Sequence, residues 1–367
     1  MSRHFDSTLV FDQVDLDMFI KVINHTILSP FFAFFVPITY KAQGLPWNSP
    51  IIQWSLVYVA AITAFWFLKF ASRLWRNSGS WLYSPERIDW GEQTVLITGG
   101  SSGIGALLAN TLAVRNVTVV VLDVNPIVTE NYNITYYKCD VSKWEEVEAV
   151  AKEVIEDIGH PTIIVNNAGV VQGKRVVDLS AADVQQTLGT NVASHFWTLK
   201  AFLPDMIKEK KGHIITVSSI MGLAGAARMT DYCASKAALL GLHESLRYEL
   251  DHDYNTPAVR TTLLCPGHVM TPLFSHVKLP ESWWYRFVAP SLAPHDIVKA
   301  MIAAMDEQES RTIFMPFYTQ FVRLTGIMPS WARDFCQWVS QADYAMRDFV
   351  KVTGRRVDVD EPTLTKE

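Results

Sequence analysis

The chain has 367 residues, which is enough for one large α/β domain with appendages or for two modest domains. Hydrophobic residues make up 49% and charged residues only 19%, an apolar balance for a soluble enzyme that indicates membrane segments. A net charge of −5 without a Lys/Arg stripe excludes a nucleic-acid partner, because no cationic surface would release the counterions of the phosphates. The cysteines are far apart, which excludes a disulfide framework and predicts free thiols facing the cytosol. They are Cys139, Cys233, Cys265 and Cys336.

The longest apolar segment lies near the N-terminus, where residues 42–68 carry no charge. This length predicts a transmembrane helix at about residues 50–70, with a buried core helix as the alternative. Several Lys and Arg residues follow the segment closely, whereas only Lys41 closely precedes it. The positive-inside rule therefore places the rest of the chain in the cytosol.

A second apolar stretch, residues 27–39, is shorter and is interrupted by Pro30 and Pro37. Its length favours a re-entrant or interfacial segment over a full span, and its topology stays open. We interpret residues 1–70 as a membrane-anchoring region. Residues 71–92, where polar residues break up the apolar pattern, are interpreted as a linker.

From residue 93 to residue 316, short apolar runs alternate with helix-length segments. The runs lie at residues 94–98, 118–122, 134–138, 162–166, 213–217, 259–265 and 312–315. Sequences such as VLIT and VVVL are apolar throughout, as expected of strands that helices cover on both faces. The pattern predicts a doubly wound, parallel seven-stranded sheet of the Rossmann type. Residues 317–367 are interpreted as a C-terminal extension rich in aromatic residues.

A glycine-rich turn, TGGSSGIG at residues 98–105, follows the first predicted strand. Glycines there allow a tight turn and close approach to a pyrophosphate, which the following helix N-terminus binds. The residues predicted to contact the cofactor in this turn are Gly99, Ser101, Ser102, Gly103, Ile104 and Gly105. Asp123, at the end of the second strand, can bind a ribose and repel a 2′-phosphate, which favours NAD and leaves NADP as the alternative.

Tyr232 and Lys236 stand four residues apart at the start of a predicted helix and therefore share one face. An ammonium group near a phenol is expected to lower the tyrosine pKa and make it a usable acid/base. Ser219, at the end of a strand, is placed to hold a substrate oxygen beside that hydroxyl. A Tyr-x-x-x-Lys pair alone is common by chance, so its meaning depends on the surrounding motifs.

Together these motifs resemble the short-chain dehydrogenase/reductase family over about residues 93–274. The matching segments are TGGSSGIG, Asp140-Val141, NNAG at residues 166–169, Asn191, the VSS that ends at Ser219, YCASK at Tyr232 and PGHVMT at Pro266. The resemblance implies that Tyr232 is the general acid/base, that Lys236 binds the nicotinamide ribose, and that Ser219 orients the substrate. It also implies that Asn191 holds a water in a proton relay.

By the same resemblance, the remaining cofactor contacts come from the loops after the later strands. The implied residues are Asp140, Val141, Asn167, Ala168, Gly169, Pro266, Gly267, Val269 and Thr271. No metal is expected, since the histidines form no ligand cluster. A homodimer through the helices that carry Asn191 and Tyr232 is common in the family.

The arrangement of anchor, catalytic domain and aromatic extension is similar to the membrane-bound branch that contains retinol dehydrogenase 10 and 17-beta-hydroxysteroid dehydrogenase type 11. It implies a lipophilic alcohol or ketone substrate, such as a retinoid, a steroid or a long-chain alcohol, at the endoplasmic reticulum or a lipid droplet. Aromatic and aliphatic residues of the extension are expected either to form a lipid-facing lip or to cap the core: Phe314, Phe317, Phe321, Leu324, Ile327, Met328 and Trp331. The alternatives are an NADPH-linked ketone reductase and a catalytically silent membrane scaffold with the same fold.

Overall fold

The protein is described here from a computed structural model that covers residues 14–79, 88–128, 131–347 and 349. Helices α1 (Leu16–His25), α2 (Pro30–Ala42) and α3 (Pro50–Arg76) precede the sheet. In these residues α3 is long and apolar enough to cross a membrane, and most of its apolar length is exposed. Helices α1 and α2 pass the same test only as a pair, bent by 53° at the break between them.

The sheet has seven parallel strands in the order β3-β2-β1-β4-β5-β6-β7. The strands are β1 (Thr94–Thr98), β2 (Thr118–Asp123), β3 (Ile134–Lys138), β4 (Ile163–Asn166), β5 (Gly212–Val217), β6 (Val259–Pro266) and β7 (Arg311–Met315). The chain order reverses between β1 and β4, which creates a crevice at the carboxyl ends of those strands. The predicted doubly wound parallel sheet is confirmed.

Helices cover both faces of the sheet. The helices of this part of the chain are α4 (Gly103–Ala113), α5 (Trp144–Asp157), α6 (Ala181–Leu188), α7 (Ser194–Glu209), α8 (Thr230–Tyr248), α9 (Trp283–Val288) and α10 (Pro294–Glu307), of which α9 lies at the cavity rather than on the sheet. Alternate residues of β1 point to opposite layers: Val95 and Ile97 pack with α4 and α10, whereas Leu96 packs with α5 and α7. Continuous apolar strands therefore supply both cores at once.

The C-terminal extension continues from β7 as a 3-10 segment (Phe317–Ile327), followed by helices α11 (Ser330–Ser340) and α12 (Ala342–Ala345). It leads back over the carboxyl edge of the sheet, where it joins the wall of the cavity described below.

Two features of the N-terminal region differ from the sequence interpretation. Pro37 lies inside α2 without ending it, and Pro30 occupies the first turn of that helix, where a missing N–H costs no hydrogen bond. Helix α3 continues to Arg76, into the segment interpreted as a linker. Residues 80–87 of that segment lie outside the described residues.

The end of α3 is fixed to the globular domain by polar contacts. Arg73 pairs with Glu309 at 2.5 Å and with Glu307 at 3.3 Å. Asn77 accepts a hydrogen bond from the Ser310 main-chain N–H through its Oδ1 at 2.6 Å. The end of α3 is therefore joined to the segment that immediately precedes β7.

Candidate active site

A cavity of about 1630 Å³ lies at the carboxyl edge of the sheet. It contains most of the site residues predicted from the sequence. From the cofactor set it is lined by Gly99, Ser101, Ser102, Gly103, Ile104, Asp123, Asp140, Val141, Asn167, Ala168, Gly169, Pro266, Gly267, Val269 and Thr271, and from the catalytic set by Ser219, Tyr232 and Lys236. Only Gly105 and Asn191 lie behind this wall, and both support residues that line it.

In the glycine-rich turn the main chain lies so close to neighbouring main-chain atoms that two positions have no room for a side chain. At Gly99 the backbone has φ +69°, and an added Cβ would come within 2.8 Å of the Ala168 Cα. At Gly105 it would come within 2.2 Å of the Gly99 carbonyl oxygen. Gly103, with φ +55°, begins α4, and it lines the cavity together with Ser102 and Ile104, so the N-terminus of a helix lies at the crevice, where a pyrophosphate can bind.

Asn167, which directly follows β4, is hydrogen-bonded to this turn. Its Nδ2 donates to the carbonyl oxygens of Thr98 and Gly99, each at 3.1 Å. The Thr98 hydroxyl accepts hydrogen bonds from the main-chain N–H groups of Asn167 and Ala168 at 3.0 and 3.1 Å. The NNAG segment therefore has a structural function beside any contact with a ligand.

Asp123 ends β2 and faces the same turn. Its carboxylate accepts hydrogen bonds from the main-chain N–H groups of Ser101, at 3.0 Å, and Asn125, at 2.9 Å. These bonds hold a negative charge at the end of the crevice. Among the described lining residues at this end, which are Val124, Asn125, Pro126, Val128, Asp140, Val141 and Ser142, none is a Lys or an Arg.

Ser219, Tyr232 and Lys236 meet at the centre of the cavity, and each is less than a tenth exposed. Ser219 follows β5, and Tyr232 and Lys236 lie on the first turns of α8. The Lys236 Nζ donates to the Val217 carbonyl oxygen at 2.9 Å and lies 5.6 Å from the centre of the Tyr232 ring. Strand end and helix start thus bring the three groups together, as the sequence predicted.

Burial dominates the electrostatics of this trio. It raises the pKa of Tyr232, and a hydrogen bond with Ser219 opposes the rise. Burial also lowers the pKa of Lys236 to about 8. The expected net lowering of the tyrosine pKa is therefore not found, because desolvation of the phenolate raises the pKa and the opposing contribution comes from the Ser219 hydrogen bond.

Asn191 lies in a π-helical turn (Gly189–Ala193) between α6 and α7. Its Oδ1 accepts from the Val170 N–H at 2.8 Å, and its Nδ2 donates to the Val170 carbonyl at 3.0 Å and to the Ser235 hydroxyl at 2.9 Å. The side chain is fully occupied by these bonds. It fixes the loop after NNAG to the helix that carries Tyr232.

Sequence reasoning missed several residues of the cavity wall. His268 lines the cavity, and its Nδ1 is 2.9 Å from the Ser291 hydroxyl. Its place within PGHVMT was the only available signal. Residues of α11, among them Phe335 and Val339, also line the wall, as does Met346, which directly follows α12. They come from beyond the recognised motifs, so nothing in their local sequence ties them to the site.

Of the residues expected to form a lip, some line the cavity and others lie on the outer surface. Phe321 and Met328 line the cavity. Leu324, Ile327 and Trp331 are exposed at the surface, with 44%, 83% and 73% of their area accessible. In α9, Trp284 and Tyr285 line the cavity, whereas Trp283 is largely exposed. The extension thus has both an inner wall and an apolar outer surface.

Comparison with known proteins agrees with this geometry. A family model described as short chain dehydrogenase matches residues 93–281. Human retinol dehydrogenase 10 is 33% identical over 262 residues, covering 62% of this chain and 76% of the relative. The bovine short-chain dehydrogenase/reductase family 16C member 6 is 32% identical over 271 residues, covering 70% and 84%.

A solved structure is similar as well. A short chain dehydrogenase/reductase from Burkholderia phymatum in complex with NAD is 25% identical, with a TM-score of 0.56, and the match covers 65% of this chain and 95% of that one. The family match, the parallel sheet and the buried trio at its carboxyl edge all indicate the same family. The chain belongs to the short-chain dehydrogenase/reductase family and is an oxidoreductase of the kind that acts on CH–OH donors.

Proposed function

We propose that the protein is a membrane-anchored, nicotinamide-dependent oxidoreductase that interconverts a lipophilic alcohol and its carbonyl compound. One observation carries the proposal: Ser219, Tyr232 and Lys236 lie where a glycine-lined half of the cavity meets an apolar half. The first half suits a dinucleotide, and the second suits a substrate without charge.

The glycine-lined half fits a dinucleotide because its glycines carry no side chain that would keep a pyrophosphate away from the main-chain N–H groups. A Cβ at Gly103 would point into the crevice, with Thr271 as its nearest neighbour at 3.8 Å. Residues 99–105 would hold the pyrophosphate, Asp123 the adenosine ribose, and Lys236 the nicotinamide ribose. When bound, the nicotinamide supplies the acceptor or donor of the hydride.

Tyr232 carries the proton in this proposal. Its hydroxyl lies in a water-poor site beside Ser219, which is positioned to hold the substrate oxygen. Tyr232 takes the hydroxyl proton when an alcohol is oxidised and returns it when a carbonyl is reduced. Because the Asn191 side chain is committed to Val170 and Ser235, a water in a proton relay there would bind to its main chain.

NAD is the favoured cofactor. The Asp123 carboxylate would oppose a 2′-phosphate, and the described wall around it offers no cation to neutralise one. Reduction of a lipid ketone with NADPH is the second candidate reaction. In that reaction Tyr232 would donate its proton to the carbonyl oxygen, and the raised pKa of its hydroxyl keeps this proton on the tyrosine until the substrate is bound.

The substrate half of the cavity is mostly apolar, although Arg333 and Asp334 also line the wall. Its wall includes Phe274, Phe321, Val322, Met328 and Val339. Burying a greasy chain against such a surface stabilises the complex by about 25 cal/mol per Å² of apolar area. The named activity of the retinol dehydrogenase relative supports a substrate of this class.

The N-terminal helices form the proposed anchor. Tyr58 and Trp66 of α3 donate to the carbonyl oxygens of Ile27 and Leu28, so the turn after α1 is fixed to α3. The start of α1 also contacts the globular domain, since Asp17 accepts a hydrogen bond from the Phe317 N–H at 2.8 Å. Both ends of the helical unit thus return to the enzyme.

We therefore place residues 14–76 as a membrane hairpin with the enzyme on one side, facing the cytosol at the endoplasmic reticulum or a lipid droplet. The exposed apolar outer surface of the extension, at Ile327, Trp331 and Trp338, suits the same membrane interface. It lies on the segments that wall the substrate half. Substrate would then enter from the bilayer.

The proposal is tested by turnover of the full chain in lipid nanodiscs. NAD-linked oxidation of retinol, steroid and fatty-alcohol panels is measured for the wild type, for Tyr232→Phe and for Tyr248→Phe. Tyr248 is an exposed tyrosine at the other end of α8 and serves as the matched control. We expect Tyr232→Phe to lose at least about 100-fold in kcat, in keeping with loss of an acid/base group, and Tyr248→Phe to stay near the wild type. Unchanged turnover by Tyr232→Phe would refute the mechanism.

A further inference from the structure

A tyrosine outside the recognised motifs presents an unused hydroxyl group to the cavity. Tyr318 lies in the 3-10 segment that follows β7, and it lines the cavity. Its hydroxyl has no hydrogen-bond partner among the residues that the structure describes. A phenol hydroxyl is both a donor and an acceptor, and one that is partly buried usually has a partner. The hydroxyl of Tyr318 therefore indicates a partner that enters the cavity.

This hydroxyl lies against the glycine of the PGHVMT segment. A Cβ added to Gly267 would come within 3.0 Å of the Tyr318 Oη, so the missing side chain leaves room for the hydroxyl. The carbonyl oxygen of the preceding residue, Pro266, is 3.5 Å from the Ser219 Oγ. These two contacts, joined through one peptide unit, limit the distance between the Tyr318 and Ser219 hydroxyls to about 11 Å. One ligand can therefore contact both.

The segment that carries Tyr318 is held from two sides. The Gly267 N–H donates to the Met315 carbonyl oxygen at 2.7 Å, which ties the segment to the end of β6. The Phe317 N–H donates to the Asp17 Oδ1 at 2.8 Å, which ties it to α1. A hydroxyl on a segment fixed in this way keeps one position, as recognition of a ligand group at a set distance from the reacting carbon requires.

The charge around this hydroxyl favours an uncharged ligand. Burial raises the pKa of Tyr318, and the neighbouring Tyr285 and the Asp17 carboxylate raise it further. The hydroxyl therefore stays protonated at neutral pH. The same carboxylate disfavours a second negative charge beside Tyr318, because solvent screens the repulsion poorly at a buried site. A carbonyl, ether or hydroxyl oxygen suits this place better than a carboxylate.

We propose that Tyr318 binds a second, uncharged oxygen of the substrate, so that the preferred substrates are lipid alcohols with a carbonyl, ether or further hydroxyl group away from the reacting carbon. The second oxygen is bound and is not oxidised, since the hydride and the proton leave from the carbinol group. Phe321 and Val322 of the same segment also line the cavity and suit the apolar remainder of such a lipid. This inference rests on the proposed function.

The test uses alcohols of equal length that differ in one atom. They are 1-decanol and three analogues in which an ether oxygen replaces one methylene: 4-pentyloxybutan-1-ol, 6-propoxyhexan-1-ol and 8-methoxyoctan-1-ol. The full chain in nanodiscs is assayed with NAD as the wild type, as Tyr318→Phe and as Tyr248→Phe. Tyr318→Phe removes only the hydroxyl, and the exposed Tyr248 supplies the matched control.

In the wild type we expect kcat/KM for one of the ether alcohols to exceed that for the other two at least about threefold, because only one places its oxygen at the Tyr318 hydroxyl. In Tyr318→Phe, the ratio of kcat/KM for that ether alcohol to kcat/KM for 1-decanol should fall about three- to tenfold, the usual effect of one hydrogen bond. Tyr248→Phe should keep the wild-type ratio. Differences in partition into the bilayer cancel, because each ratio is compared between variants.

Three ether alcohols that react alike with the wild type overturn the inference, and this comparison holds even if Tyr318→Phe does not fold. An unchanged ratio in a Tyr318→Phe protein that unfolds at the wild-type temperature also overturns it. If Tyr318→Phe weakens NADH binding about threefold or more, the hydroxyl serves the cofactor and the inference is wrong. Failure of every alcohol to react would instead refute the proposed function itself.

Discussion

Replacement of Gly105 by alanine tests how the glycine-rich turn is built. The new methyl group would lie 2.2 Å from the Gly99 carbonyl oxygen and 2.7 Å from the Asn167 Nδ2. Alanine gains about 0.5–1 kcal/mol over glycine inside a helix, but overpacking against backbone costs about 1–3 kcal/mol. Displacement of Asn167 also weakens its two hydrogen bonds to the turn, each contributing about 1 kcal/mol. The clash therefore wins, with a net cost of about 2–4 kcal/mol.

If this free energy is lost entirely from the turn conformation that binds the cofactor, the affinity for NADH falls about 30- to 1000-fold. The measurement is a fluorescence titration of NADH against the full chain in detergent, together with thermal unfolding. Gly103→Ala separates backbone strain from contact, since its methyl group would have space but its φ of +55° costs about 1–2 kcal/mol. Gly91→Ala, with its nearest contact at 3.4 Å and far from the turn, should behave as the wild type. Binding of NADH by Gly105→Ala within about threefold of the wild type would show that the turn adapts and that the reasoning is wrong.

Two further predictions concern charge. Asp123→Asn keeps a side-chain acceptor for the Ser101 N–H but loses the negative charge. The ratio of kcat/KM with NAD to kcat/KM with NADP should therefore fall about tenfold or more. A wild type that already prefers NADP would contradict the assignment of NAD. Since burial lowers the pKa of Lys236 to about 8, its ammonium form is lost as the pH rises through that value, and NADH affinity should decline by up to about fivefold between pH 8 and pH 9. Lys236→Met should bind weakly and show no such pH dependence; a parallel decline in that variant would assign the titration to another group.

The sheet was predictable because its signal is local. Runs such as VLIT in β1 and VVVL in β2 are apolar on both faces, and the glycines at residues 99–105 mark the strand-to-helix turn directly in the sequence. Strand bounds in the structure differ from the predicted ones by a residue at most, as with β2, which includes Asp123. The positions of Ser219, Tyr232 and Lys236 followed from the same motifs.

The roof of the cavity could not be predicted in this way. Met346 joins the buried cluster around Tyr232 only through the path of the whole extension, and no periodicity in the sequence indicates this position. The pKa of Tyr232 is a second example. The sequence places an ammonium group near the phenol, but the balance between charge and desolvation depends on how completely the fold buries both.

The contacts of Arg73 and Asn77 with the domain have a consequence for motion. An enzyme tethered by a slack linker tumbles above its membrane and presents its entrance in every direction. If α3 is the membrane anchor proposed above, its contacts with Glu307, Glu309 and Ser310 would make the helix and the domain turn together. Its search for a substrate would be two-dimensional, with the entrance held at one height and one tilt, and the rate of capture would depend on the concentration of alcohol per unit of membrane area rather than per unit of volume.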